Sequence, residues 1–149
     1  MNKLTEILND FWHWSGITES DYKKGNAINI DLKGEWEDNF PKWNTIETEI
    51  KNAVNDLNIQ MDENLLEKIV TIISLDNENG IIMDFCLDHL HEKDLLLEKC
   101  AKSDLVYARF EVATRINTIN LPQTIIKSLM NDENDLVRKT VKVLINKNT

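Results

Sequence analysis

From Trp43 to the end of the chain, apolar side chains return every three or four residues, and short polar turns interrupt the run. That spacing lines one face of a helix and fits no strand, whose side chains alternate with a period of two. Breakers are scarce, with two prolines and four glycines in 149 residues. A β sandwich needs turn residues every ~8–12 positions, so the scarcity also points to helices.

The predicted helices can be followed along the chain. Leu4, Ile7, Leu8, Phe11 and Trp12 form a first stripe, ended by Gly16 as a left-handed cap. Thr18 and Asp21 mark a short turn. Residues 22–42 are the least periodic part, with Gly25, Gly34, Pro41 and the acidic cluster Glu35, Trp36, Glu37 and Asp38. Asn44 and Glu47 form a capping-box pattern ahead of Ile46, Ile50, Val54 and Leu57. Asp62 caps the stripe of Leu65, Leu66, Ile69, Val70, Ile72 and Ile73. After the turn Asp76–Gly80 come Ile81 to Leu90, then Asp94 to Ala101. Ser103 is expected to cap Leu105 to Ile116, and Pro122 to take the first helical position before Ile125 and Leu129. A turn at 132–135 leads into Leu136 to Ile145. Connections this short predict antiparallel neighbours. The chain reads as a single all-α domain: residues 1–42 hold a helix and an irregular acidic loop, and residues 43–149 hold stacked helix pairs.

At this length roughly 68–70% of the unfolded surface is buried on folding, enough for a core without staples. Apolar residues are 42% and charged residues 29%, which separates the chain from disordered ones. The charge is −9 and unevenly spread: −6 over residues 1–62, −5 over 63–103 and +2 over 104–149. Most of such a surface repels nucleic acid and attracts a basic partner, although acidity also serves solubility. Cys86 and Cys100, fourteen apart, match neither a zinc spacing nor a disulfide framework and read as buried thiols. No signal peptide or membrane-length apolar run is seen, so the expected location is the cytoplasm.

Repetition is weak but present. Arg109, Val112 and Ile116 recur at an offset of 29 as Arg138, Val141 and Ile145, while an offset of 31 aligns Asp104-Leu105-Val106 with Asp135-Leu136-Val137. Two offsets near one helix-pair length suit a degenerate α-solenoid. The segment Asp132-Glu133-Asn134-Asp135-Leu136-Val137-Arg138, with Val141 and Leu144, resembles a HEAT repeat, and Ala108 to Ala113 looks like the same helix one repeat earlier. The resemblance implies a HEAT-like α-α superhelix in which a turn Asp and a second-helix Arg support the stacking. Phe11-Trp12-His13-Trp14-Ser15-Gly16 and Glu35 to Trp43 look like the lead-in of small bacterial HEAT-like proteins. Some helical-repeat proteins of this size and acidity are immunity proteins, which bind and neutralise a toxin. The basic HEAT-like DNA glycosylases differ in size and charge.

No nucleophile elbow, phosphate loop, zinc-protease motif or dinucleotide fingerprint occurs, and the three histidines suggest no triad. Asp76 to Gly80 fails as a calcium loop, because the first and twelfth positions would be Leu75 and Cys86. His89 and His91 diverge on a helix and cannot share an ion. The expectation is therefore a binding protein with no catalytic residues, metal or cofactor. Trp36 reads either as an exposed anchor in the acidic rim of Glu35, Glu37 and Asp38 or as a lid on the helix stack. Asp84, Asp88 and Glu92, at four-residue spacing, read either as a solvated ridge or as an extension of that acidic surface. Arg109 and Arg138 are expected to pair with acidic turns near Asp104 or Asp132. The leading expectation is an immunity protein occluding a basic toxin, perhaps a nuclease. The alternatives are a helical scaffold or adaptor and, less favoured by charge, an enzyme on helical repeats.

Overall fold

The computed structural model describes residues 3–15, 18–24, 63–76 and 80–147, together with positions 47, 48, 51, 52 and 55. These described residues form eight helices and no strand: α1 (Lys3–Ser15), α2 (Glu19–Lys23), α3 (Glu63–Leu75), α4 (Ile81–His89), α5 (Lys93–Ala101), α6 (Val106–Ala113), α7 (Gln123–Met130) and α8 (Asp135–Lys147). The five isolated positions are also helical, within the segment that the capping box Asn44–Glu47 predicts.

Most of the predicted stripes are buried faces, but Ile81, Leu95 and Leu136, which the spacing placed on them, are exposed. In α1, Ile7, Leu8 and Phe11 are buried. Trp12 packs at the margin, its ring 5.1 Å from Phe11 edge-on and 5.7 Å from Tyr22. The turn expected at Thr18 is the short helix α2, in which the amide of Asp21, its third residue, donates to the N-cap Thr18 Oγ1 at 3.0 Å. Tyr22 ties α2 to α3 through a buried 2.7 Å hydrogen bond between its hydroxyl and that of Ser74. Burial pushes the Tyr22 phenol up to about 12.

Helix α3 is apolar on most sides, as a helix enclosed by neighbours should be. Leu65, Leu66, Ile69, Val70, Ile72 and Ile73 are all buried, and α1, α4, α5 and α6 all touch it. Its β-branched run stays helical because that burial outweighs a weak local preference for strand. The buried Thr71 hydroxyl donates to Glu67 O at 3.1 Å, one turn back.

Helix α6 is the other hub. Ala108, Val112 and Ala113 are fully buried, and small residues let α3, α5, α7 and α8 approach one helix at once. The contacts run in two series: α1 to α3 to α6 to α8, and α5 to α7, with α6 touching both members of the second. The buried residues form one continuous core from Ile7 to Val141.

Two starts shift from the sequence expectation. Ser103 does not cap α6: its Oγ accepts from Leu105 N at 3.1 Å, and the helix begins after Leu105. Pro122 stands one position ahead of α7, at φ −58° and ψ 144°, because its fixed φ suits either place and extended backbone lets the chain turn in.

Leu96 is fully buried while Leu136 is 46% exposed. Leu96→Ala is expected to cost about 2–5 kcal/mol of unfolding free energy and Leu136→Ala about 0.5 kcal/mol or less, read from urea denaturation midpoints at an unchanged m-value.

Candidate functional site

Charged side chains are deeply buried at two junctions. At the first, the Arg109 side chain on α6 is 8% exposed and its Asp132 partner, in the turn before α8, is 7% exposed. The guanidinium straddles the carboxylate, with Nε 2.8 Å from Oδ2 and Nη2 3.2 Å from Oδ1. Its third arm, Nη1, donates to Ser103 O at 2.8 Å, six residues upstream. Arg138 repeats that last contact on α8, donating from Nη1 to Asp132 O, again six residues upstream, and pairs with Asp135. The equivalence of Ser103 with Asp132 and of Arg109 with Arg138 follows the offset of 29. Asp132 also accepts from Asn134 N at 2.9 Å, and Asn134 Oδ1 caps α8 by accepting from Leu136 N at 2.9 Å. Of the two acidic turns the sequence offered, near Asp104 and Asp132, Arg109 takes Asp132, whereas the ion pair of Arg138 is with Asp135 on its own helix.

The second junction was not legible in the sequence. Arg115, in the turns after α6 and 12% exposed, meets Glu111 at 2.6 Å and Asp84 at 2.9 Å, and donates to Gly80 O at 3.0 Å. Gly80 is at φ 62°, and a Cβ there would stand 2.7 Å from Arg115 Nη2 and 2.9 Å from Glu111 Oε2. Left-handed backbone and close approach both require glycine. Nearby, buried Asp76 turns its carboxylate to accept from Ile82 N at 3.0 Å and so starts α4. Glu111 is 4% exposed, and burial raises its carboxyl above the ordinary value of 4.5; Arg115 opposes the rise, while Asp76 and Asp84 add to it.

These facts change the reading of the acidic ridge. Asp84 is bound to Arg115. Helix α4 ends at His89 with Leu90 extended, so Glu92 lies in the turn before α5 and does not continue the face of Asp84 and Asp88. Asp88 and Glu92 remain exposed and form no ion pair among the described residues, and exposed Asp94, at the first turn of α5, joins them. His89 stacks on Phe85 at 4.1 Å with its Nδ1 2.9 Å from Phe85 O, which accounts for that ring. The loop residues Glu35, Trp36, Glu37 and Asp38, and Trp43, lie outside the described residues. The Cys86 and Cys100 thiols are free and buried, and burial raises both, Cys86 to about 12, which leaves them unreactive near neutrality. No group of three His, Cys, Asp or Glu among the described residues could hold a metal ion, and no described helix is long and apolar enough to cross a membrane.

Beside the exposed acids a groove of about 650 Å³ runs between α5 and α7, with Leu97, Ala101, Leu121 and Ile125 along it and Leu95 and Asp94 at its lip. Comparison with protein-family models, curated proteins and solved structures gives no match for this chain.

Removing one partner of a buried pair strands the other. Arg109→Ala is expected to cost about 3–5 kcal/mol, whereas Lys102→Ala, which breaks an exposed pair with Glu98, costs less than about 1 kcal/mol. Arg109→Lys should recover only part of the loss, because an ammonium cannot straddle both carboxylate oxygens. Denaturant midpoints of the three variants check this.

Because the Glu111 carboxyl is raised in the folded chain, the folded state holds its proton more tightly than the unfolded one. Its contribution to stability is complete below 4.5, the unfolded value, and is lost as pH rises through the folded value. Thermal unfolding from pH 4 to 8 is therefore expected to show the wild-type chain losing stability relative to Glu111→Gln as pH rises.

Proposed function

We propose that the chain is a HEAT-like α-α superhelix of antiparallel helix pairs that acts without catalysis, binding and neutralising a basic protein. Its most concrete form is an immunity protein that works in the cytoplasm by occluding the active surface of a cognate toxin, such as a nuclease. The two series of contacts and the arginine contact repeated at 29 residues support the repeat architecture.

The observation that carries the function is the distribution of charge between interior and surface. Arg109 and Arg115 are engaged in buried ion pairs and Arg138 in a surface pair with Asp135, while Asp88, Glu92 and Asp94 stay exposed and form no ion pair among the described residues, on a chain of net charge −9. An acidic field of this kind speeds encounter with a basic partner and rejects polyanions. Glu35, Trp36, Glu37 and Asp38 complete the proposed surface, with Trp36 as its anchor among acids.

A helical adaptor is the second reading. It is favoured by the exposed apolar side chains Leu95, Leu136 and Val143, which give contacts insensitive to salt.

Affinity capture of the tagged chain from its native host, at low and at high salt, separates the two. The neutralising reading expects one strongly enriched basic protein, lost at high salt and lost in the Trp36→Ala/Glu37→Lys variant. A partner retained equally at both salts and by that variant would sink the charge-steered mechanism in favour of the adaptor.

A further inference from the structure

We draw no further inference here: the strongest candidate, the outer face of α8, where exposed Leu136 and Val143 stand among Lys139 and Lys142, carries nothing, because Arg138 at its edge is already held by Asp135 and nothing in the structure shows what covers the face.

Discussion

Burying the Arg109 guanidinium costs several kcal/mol of hydration, and the C-terminal half of the molecule is arranged around meeting that cost. Asp132 supplies the opposite charge in a two-pronged geometry, and Ser103 O takes a further arm. Asp132 can do this only if the turn before α8 lies against α6, and Asn134 holds that turn by capping α8. One ion pair therefore fixes where α8 begins and how it meets α6. An apolar contact tolerates sliding, whereas a guanidinium and a carboxylate lose most of their interaction when they shift by an ångström or two, so the pair sets register as well as adding stability.

The junction around Arg115 meets the same requirement differently. Arg115 reaches back to the start of α4, where Gly80 leaves room for it and presents a carbonyl. Burial raises the affinity of Glu111 for protons despite its ion pair, and the nearby carboxylates of Asp76 and Asp84 add to the rise. The consequence for the surface is direct. Arginines that hold helices together are not available to neutralise exposed acids, so Asp88, Glu92 and Asp94 keep their field, and the apolar groove lies beside it.

Much of the helical layout was legible because it depends on local spacing. The stripes from Ile7 to Phe11 and from Leu65 to Ile73 became buried faces, α8 buries Val137 and Val141 but leaves Leu136 exposed, and the Asp132 turn met Arg109. The acidic ridge was less legible. Asp84, Asp88 and Glu92 share a face only while the helix continues, and it stops at His89, where Leu90 turns extended to bring α5 back. The Arg115 junction gave no signal because, although Glu111 lies one turn back, Gly80 and Asp84 are more than thirty residues away and no local period links them. Asp94 passed unnoticed as one more acid in a first turn, a place where acids are ordinary.

The sequence by itself determined the helical class, the polarity of each described helix and the lopsided charge, since periodicity, scarce breakers and composition act within a turn or two of the chain. Only the tertiary structure decided which charges remain exposed. A carboxylate's availability depends on whether a distant arginine reaches it, and that is a property of packing: Asp84 is consumed by Arg115, while Asp94 faces solvent at the lip of a groove formed when α7 comes to rest beside α5.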